Sequence, residues 1–202
     1  MTGAAADAFR IAFICTGNRF RSPLAQYLTR ALAPDVALET SSFGLRDVDG
    51  SPVLPEAATE AQRLRLDVSA HQARTLAGQR LEDADLVIGF ERIHVATAVL
   101  DAGAAKARTF TLPELVELLE EIDAPPETDP IARAHAALVR AEWLRSHRPN
   151  PSVFPELGDP WGGPPEIFVE TGARVEDLCR RLVRGLFGEE ALTPEGGVPE
   201  RA

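Results

Sequence analysis

The amino-acid sequence predicts an α/β fold in which a four-stranded parallel sheet carries helices on both faces. Two observations lead to this prediction. Short apolar runs, typical of buried strands, alternate along the chain with longer segments whose apolar residues recur at helical spacing. No internal repeat interrupts the alternation, and 202 residues are enough for one domain with a sizeable core.

The strands are predicted from short apolar or β-branched segments that end in polar loops. The first strand, Phe9–Cys15, contains the apolar run Ile11–Ile14. The next three predicted strands are Val36–Ser42, Ala84–Phe90 and Ala107–Leu112. Helices separate these strands, so the sheet is expected to be parallel and three-layered, flavodoxin-like or Rossmann-like. In such sheets ligands bind beyond the carboxyl ends of the strands.

The helices are predicted from apolar residues that fall on one helical face. In the first helix, Ser22–Ala33, Leu24, Tyr27 and Leu28 share a face, with Ser22 as the expected cap and Pro23 in the first turn. The remaining helices are expected at Pro55–Leu66, Ile93–Asp101, Pro113–Glu121 and Pro165–Phe187. The last of these keeps its apolar residues on a single face.

The alternation breaks at about residues 122–157. Within that stretch, Ile131–His147 has helical composition, with Ile131, Ala134, Leu138 and Trp143 as its expected apolar face. A proline-rich loop follows it. We expect an inserted helical hairpin at the rim of the site described next, acting as a lid or a partner-docking surface. Residues 1–190 then form a single domain, and 191–202, rich in Gly, Pro and Glu, are expected to be a disordered tail.

Composition excludes several classes of partner. The net charge of −10 argues against a general nucleic-acid or anionic-membrane partner. No apolar segment is long enough for membrane insertion. Two cysteines are too few for a disulfide framework, so a reducing, cytoplasmic compartment is expected. The basic residues are all arginine except Lys106, which with the abundant alanine indicates a high-GC bacterial source of actinobacterial type.

The stretch from Cys15 to Pro23 carries the chemistry. A cysteine ends the first strand, a five-residue loop follows, and Arg21 opens the first helix. Gly17 and Asn18 favour positive φ, so the loop can turn its N–H groups inward and bind a dianion at the helix N-terminus. Arg21 adds a planar fork for two phosphate oxygens. The same surroundings favour thiolate over thiol at Cys15, which can then attack a bound phosphorus atom.

The Cys-x5-Arg-Ser-Pro motif, with Gly17-Asn18 inside it, resembles the loop of the low-molecular-weight protein tyrosine phosphatase family. The resemblance covers roughly residues 8–120 and 158–187. It implies a phosphate-binding loop of Thr16, Gly17, Asn18, Arg19, Phe20 and Ser22. The family commonly has a second cysteine before the arginine, where this chain has Phe20. Regulation by a disulfide within the loop is therefore not expected.

Cleavage of a phosphate ester also needs an acid to protonate the leaving oxygen. Two Asp-Pro pairs offer a carboxylate. Asp129-Pro130 precedes a helical run, and Asp129 is predicted to be its cap. Asp159-Pro160-Trp161 lies between prolines and glycines shortly before the last helix. It resembles the acid loop of the family, which implies that Asp159 is the acid and Trp161 a wall of the pocket.

The resemblance implies a two-step reaction through a phosphocysteine at Cys15. Arg21 and the loop N–H groups hold the phosphate oxygens, and no metal or cofactor is required. The Ser22 hydroxyl is expected to form a hydrogen bond with the Cys15 sulfur. The resemblance further implies that Ser42 and His71 hold Asn18 in its strained conformation. His94, His135 and His147 are expected on helix surfaces, and Glu91 is expected either near the site or as a helix cap.

The substrate implied is a phosphotyrosine-containing protein, such as a bacterial tyrosine kinase. Arg19 stands where phosphoarginine-specific relatives carry a small threonine, so a bulky cation argues against that substrate. It also suggests recruitment of acidic flanking sequence. Leu45 and Val48 replace the aromatic wall often found opposite Trp161.

Three other functions remain open from the sequence. The same loop can reduce arsenate, but Cys179 is the one other cysteine, so an external thiol would be needed. A non-enzymatic phosphate-binding or regulatory module is the second alternative, although such modules usually lose the nucleophile, arginine or acid. A nucleotide-binding protein is disfavoured because no Gly-rich nucleotide motif follows the first strand.

Overall fold

The four strands form one parallel sheet in the order β2-β1-β3-β4, in a computed structural model that describes residues 8–148 and 155–192. The strands are β1 (Phe9–Cys15), β2 (Leu38–Gly44), β3 (Leu86–Gly89) and β4 (Thr109–Thr111). The helices over those residues are α1 (Arg21–Leu32), α2 (Pro55–Arg63), α3 (Arg92–Asp101), α4 (Leu112–Glu121), α5 (Pro130–His147) and α6 (Pro165–Phe187). The predicted fold class is confirmed.

Helices cover both faces of the sheet. Successive side chains of a strand point to opposite sides, so each strand contributes to the apolar core on both faces. Ile11, Phe13 and Ile88 face a large apolar core shared with α1, α4, α5 and α6. Ala12 and Val87 face a smaller cluster that includes Ala98 of α3. Strands buried on both sides have near-continuous apolar sequences, which is why the run Ile11–Ile14 is a reliable strand signal.

Local geometry explains where the observed boundaries differ from the predicted ones. Helix α1 begins at Arg21, and Ser22 is not its cap, because the Ser22 hydroxyl is directed at Cys15 and Asn18 instead. Helix α2 ends at Arg63, near a left-handed residue, Arg65, with φ +57°. Strand β4 begins at Thr109 because residues 106–108 form a 3₁₀ turn.

Strand register brings three strand ends to one edge of the sheet. Cys15 of β1 pairs with Gly44 of β2, and Ile14 pairs with Gly89 of β3. From β1 the chain runs to β2 on one side of it, and later to β3 on the other side. A crevice therefore opens beyond the carboxyl end of β1, at the switch point of the strand order. Cys15 lies at this crevice.

The described part of the insert holds one helix, α5, which packs against α4 and α6. Its His135 ring lies 5.1 Å from that of Phe9, and Arg145 donates to the carbonyls of Lys106 and Thr109. These partners lie at, or just before, the amino-terminal ends of β1 and β4, so α5 lies toward the end of the sheet opposite the crevice. The predicted position at the rim is therefore wrong for α5, whereas Leu157, at the end of the predicted insert, does reach the site, where its carbonyl accepts from Arg21. Most of the predicted proline-rich loop, 149–154, lies outside the described residues.

The predicted apolar face of α5 is correct at Ala134 and Leu138 but wrong at Trp143. Ala134 and Leu138 are buried, whereas Trp143 is 61% exposed. At 100° per residue, Trp143 lies five positions beyond Leu138 and faces away. Ala141, three positions beyond Leu138, occupies the buried face instead.

At the end of the described residues, Ala191, the last residue of a short 3₁₀ turn, and Leu192 pack against the main core. The rest of the predicted tail, residues 193–202, lies outside the described residues. Within the described part of the chain, no helix has the length and apolar character needed to cross a bilayer.

Asp129 caps α5, as predicted, because its Oδ2 accepts the Ala132 N–H at 2.7 Å. We predict that Asp129→Ala lowers the free energy of unfolding by about 1 kcal/mol through loss of this cap. Chemical denaturation measures the change. Asp129→Asn, which keeps the side-chain oxygen, is the matched control and should stay near wild type. Equal losses in both variants would contradict the capping role.

Candidate active site

The loop after β1 is shaped by one left-handed residue and one close backbone approach. Asn18 has φ +52°, a conformation that Asn tolerates better than most residues. Gly44 lies directly beneath the loop, where a Cβ atom would come within 2.9 Å of the Asn18 nitrogen. Arg46 donates its backbone N–H to the Thr16 carbonyl at 2.9 Å. The end of β2 therefore supports the loop from below.

The Cys15 sulfur receives polar contacts from inside this loop. Ser22 Oγ lies 3.0 Å from Cys15 Sγ, and the Asn18 backbone N–H donates to it at 3.2 Å. The thiolate is the nucleophilic form of cysteine, and both groups have a hydrogen that they can direct at the sulfur. The sequence-predicted contact between Ser22 and Cys15 is thus present in the structure.

Asn18 is the centre of a buried network that fixes the loop. Its Nδ2 donates to Ser22 Oγ at 2.9 Å and to Ser42 Oγ at 2.8 Å. Its carbonyl accepts from His71 Nε2 at 2.8 Å, so the ring proton lies on Nε2. Desolvation by burial lowers the pKa of His71, which keeps the ring neutral. The structure therefore places both Ser42 and His71 against Asn18.

One further contact to Asn18 was missed from the sequence. The backbone N–H of Arg74 donates to Asn18 Oδ1 at 2.9 Å, so both ends of the amide group are bonded. A main-chain donor leaves no side-chain signal in a single sequence. Arg74 also sends its guanidinium over the ring of Phe43, 4.7 Å from the centroid.

Arg21 is 1% exposed, and its guanidinium is surrounded by acceptors. Nη1 donates to Glu91 Oε2 and to the Leu157 carbonyl, both at 2.8 Å. Nη2 lies 3.0 Å from Thr16 Oγ1 and 2.7 Å from Asp159 Oδ2. A buried charge is tolerated only when it is paired and hydrogen-bonded, and Arg21 has two carboxylate partners.

Asp159 pairs with this guanidinium, and Trp161 follows two residues later in the chain. Asp159 Oδ1 accepts the backbone N–H of Trp161 at 3.1 Å, while Asp159 Oδ2 pairs with Arg21. Both residues line a cavity of about 300 Å³ together with Cys15. The structure thus brings Asp159, Arg21 and Cys15 to one cavity, whereas Asp129 caps α5.

His94 was expected on a helix surface, and that expectation is wrong. The ring is completely buried, with Nδ1 accepting the backbone N–H groups of Phe90 and Glu91 at 3.3 and 3.0 Å. Its proton therefore lies on Nε2, 3.2 Å from Thr16 Oγ1, the oxygen that also accepts from Arg21. Burial, aided by the charge of Arg21, lowers the pKa of His94 to about 4.

A sequence signal for His94 did exist. Glu91 and His94 are three residues apart at the start of a helix that follows a strand, which is the spacing of a capping box. The two side chains form that reciprocal cap in the structure. Glu91 therefore plays both of its expected roles, as a helix cap and as a partner of the site through Arg21.

The remaining thiol and the missing loop cysteine bear on redox chemistry. Cys179 is fully buried in α6, and desolvation raises its pKa to about 12. Phe20 packs edge-on against Phe168, with ring centroids 5.3 Å apart, in a cluster with Leu54. Among the residues that the structure describes, no group of three or more His, Cys, Asp or Glu side chains could hold a metal ion.

Comparison with protein families gives one match over most of the chain. The model described as "Low molecular weight phosphotyrosine protein phosphatase" matches residues 10–141. This range contains the loop and the Glu91–His94 cap but stops before Asp159. The assignment of Asp159 therefore depends on the geometry described above and on its resemblance to the acid loop.

Two curated relatives differ in how much of the chain they match. The protein-arginine-phosphatase of Geobacillus stearothermophilus is 31% identical over 183 residues, covering 90% of this chain and 99% of the relative. The probable low molecular weight protein-tyrosine-phosphatase EpsP of Ralstonia solanacearum is 35% identical over 78 residues, 39% of this chain. In that match the chain spans about half of EpsP, 52% of its length.

Solved structures share the fold. The low molecular weight protein tyrosine phosphatase from T. tengcongensis aligns with a TM-score of 0.64 and 23% identity, over 88% of this chain and 99% of its own. The arginine phosphatase YwlE from Geobacillus stearothermophilus aligns with a TM-score of 0.66 and 24% identity, over 90% and 95%. At this level of identity the likeness concerns the fold alone.

We predict that Gly44→Ala weakens binding of inorganic phosphate by about tenfold or more. The added Cβ would press on the backbone of Asn18 and Gly17, both 2.9 Å away, and displace the loop. Isothermal calorimetry during a titration with phosphate measures the change in Kd. Gly158→Ala is the control, because a Cβ there meets nothing within 4 Å. Unchanged affinity in Gly44→Ala would show that the loop does not depend on this close approach.

We predict that His94 makes the folded state more stable as pH rises from about 4 to 6.5. The unfolded imidazole binds a proton near pH 6.5, whereas the folded one, with its pKa lowered to about 4, does not. The stabilisation is complete above pH 6.5 and is lost as pH falls to 4, a change of up to about 3 kcal/mol.

The variant His94→Asn separates this titration from other acid effects. Asn keeps an acceptor for the two backbone N–H groups but cannot reach Thr16 and does not titrate in this range. The difference in unfolding free energy between wild type and His94→Asn should shrink as pH falls from 6.5 to 4. Denaturation curves whose difference is constant with pH would refute a neutral, buried His94.

Proposed function

This chain belongs to the low-molecular-weight phosphotyrosine protein phosphatase family, and we propose that it hydrolyses phosphotyrosine monoesters in proteins. The observation that carries the proposal is the convergence of three groups on one cavity. Cys15, Arg21 and Asp159 all line it, although the third lies far along the chain from the first two. A nucleophile, an anion-binding cation and an acid are what transfer of a phosphoryl group requires.

In the first step, the Cys15 thiolate attacks phosphorus. The Arg21 guanidinium and the N–H groups of the loop hold the nonbridging oxygens. As the S–P bond forms, the P–O bond to tyrosine breaks, and the Asp159 carboxyl group gives its proton to the leaving phenolic oxygen. Free tyrosine side chain and phosphocysteine result. The contacts of Ser22 and Asn18 with sulfur stabilise the thiolate before attack.

In the second step, water hydrolyses the phosphocysteine. Asp159, now a carboxylate, accepts a proton from the water molecule whose oxygen attacks phosphorus. The S–P bond breaks, phosphate leaves, and the thiolate is restored. The ion pair between Asp159 and Arg21 supports this role, because it holds the carboxylate directly beside the site of the phosphate oxygens.

Phosphotyrosine is favoured over phosphoarginine by the residues at the mouth of the cavity. The relatives include both a protein-arginine-phosphatase and protein-tyrosine-phosphatases, so family membership alone does not decide. Trp161, Val48 and Leu54 line the cavity and offer apolar contact to a phenyl ring. Arg19 and Arg46 line it too, and both would repel the positively charged guanidinium group of phosphoarginine.

The substrate we propose is a phosphotyrosyl protein in the cytoplasm, including a bacterial tyrosine kinase. Reduction of arsenate through a relay of thiols is disfavoured by the described residues. Phe20 occupies the loop position that could hold a second thiol, and Cys179 is buried in α6. A regulatory module without activity is also disfavoured, because the nucleophile, the arginine and the acid are all present.

We predict that the wild type releases phosphate from phosphotyrosyl peptides without added metal and that Cys15→Ser is inactive. Asp159→Asn should lower kcat by 10²- to 10⁴-fold, the usual contribution of a general acid. Phosphate release at saturating peptide measures both effects. Asp129→Asn is the matched control, because it changes the other Asp-Pro carboxylate and should leave kcat unchanged.

The same assay with phosphoarginyl peptides separates the two substrate classes. A higher kcat/KM for phosphoarginine than for phosphotyrosine would overturn the proposed specificity while leaving the phosphatase chemistry intact. Binding of phosphotyrosine without any turnover would instead favour the regulatory module.

A further inference from the structure

The mouth of the cavity carries more positive charge than the chemistry uses. Five charged side chains line the cavity: Arg19, Arg21, Arg46, Glu91 and Asp159. Arg21 is paired with both carboxylates, which leaves the other two arginines without a carboxylate partner at the site. This surplus lies on a protein whose net charge is −10.

Arg19 is held in place with its terminal nitrogens available. Its Nε donates to the Pro52 carbonyl at 2.8 Å, and its own carbonyl accepts the Leu54 N–H at 2.8 Å. Within residues 8–148 and 155–192, its two Nη atoms form no hydrogen bond or ion pair. The guanidinium is therefore fixed at one nitrogen, and the fork that binds carboxylates is not occupied.

Arg46 presents a second guanidinium from the next loop. Its backbone is anchored to the phosphate loop through the bond from its N–H to the Thr16 carbonyl. The side chain is exposed, and it forms no hydrogen bond or ion pair with the described part of the chain. Its acidic neighbour in sequence, Asp47, does not line the cavity.

Many other arginines of the described surface are neutralised by ion pairs. Examples are the pairs Arg63–Glu60, Arg63–Glu176, Arg80–Glu82, Arg181–Glu120 and Arg181–Asp177. An acidic segment of a substrate would therefore be repelled by the net charge of the molecule and attracted at the mouth. This contrast orients such a segment toward Cys15 and raises its rate of association.

We propose that Arg19 and Arg46 bind aspartate and glutamate side chains that flank the phosphotyrosine. The enzyme then selects phosphotyrosyl segments of acidic sequence, a proposal that rests on the phosphotyrosine activity proposed above. Each guanidinium can form a bidentate pair with one carboxylate, and the anchored Arg19 loses less freedom on binding than a free side chain would. Arg21 binds the phosphate, and Arg19 and Arg46 bind the acidic residues on either side of the phosphotyrosine.

The test compares two matched phosphotyrosyl peptides. In one, the residues on both sides of the phosphotyrosine are Asp and Glu, and in the other they are Asn and Gln. We expect wild-type kcat/KM to be about tenfold higher for the acidic peptide at low ionic strength, with the preference declining at 0.5 M salt. Peptides that are acidic on one side of the phosphotyrosine, and neutral on the other, show which flank is responsible for the preference.

Variants assign the preference to the two arginines. In the double variant Arg19→Gln/Arg46→Gln, the ratio of kcat/KM between acidic and neutral peptides should fall to near one. Each single variant should lose about threefold of it. Arg80→Gln removes the same charge from an exposed position whose side chain pairs with Glu82. The ratio for this control should equal that of the wild type.

The outcomes distinguish this inference from the proposed function. Turnover of both peptides with a ratio near one would overturn the inference and leave the phosphatase intact. Failure of the wild type to act on any phosphotyrosyl peptide would overturn the proposed function. In that case the Kd of Cys15→Ser for each of the two peptides, measured by calorimetry, still tests whether Arg19 and Arg46 bind acidic flanking residues. Equal values of Kd for both peptides would refute that binding.

Discussion

The buried guanidinium of Arg21 is the constraint on which the arrangement of the site depends. A cation that is 1% exposed must have its charge and its donors satisfied by the protein itself. Its partners come from three parts of the chain: Thr16 in the loop, Glu91 after β3, and the Leu157–Asp159 segment before α6. The hydrogen bonds and ion pairs of Arg21 therefore bring Asp159, the loop after β1 and the crevice of the sheet into one place.

A second requirement, the left-handed backbone at Asn18, fixes the direction of the loop. The strain is offset by hydrogen bonds to Ser42, which lies in β2, and to His71 and Arg74, which lie in the segment after α2. The loop is thus held from two sides, by the Asn18 network near β2 and by the His94 and Glu91 pair near β3. Preorganisation of this kind lets donors act on developing charge without first rearranging.

The sequence predicted the fold class because β1 and β3 are short, buried, mostly apolar runs and because helical segments with apolar faces separate the strands. It also pointed to Cys15 and Arg21, since their spacing between strand and helix has a direct chemical meaning. The contacts of Ser42 and His71 with Asn18 came from the resemblance, because neither residue carries a local signal.

Other features could not be predicted for physical reasons. The spacing of Glu91 and His94 indicates a capping box, but the burial of His94 depends on packing beneath the loop, which a single sequence does not show. The position of α5 depends on long-range contacts of Arg145, and composition alone indicates a helix without indicating what it covers. For Arg19 the sequence already suggested recruitment of acidic flanking sequence. Only the folded structure shows that Arg46 lines the same cavity and that both side chains lack a carboxylate partner there.

The location of α5 has a consequence for the solubility of the fold. Strand β4 is an edge of the sheet, and an uncovered edge offers a template for pairing with another chain. Arg145 occupies the Thr109 carbonyl and lies over the Phe110 ring, 3.9 Å from its centroid, while Pro155 accepts the hydroxyl of Thr111. The insert therefore shields this edge, so that intermolecular strand addition is left to β2, on the opposite side of the sheet.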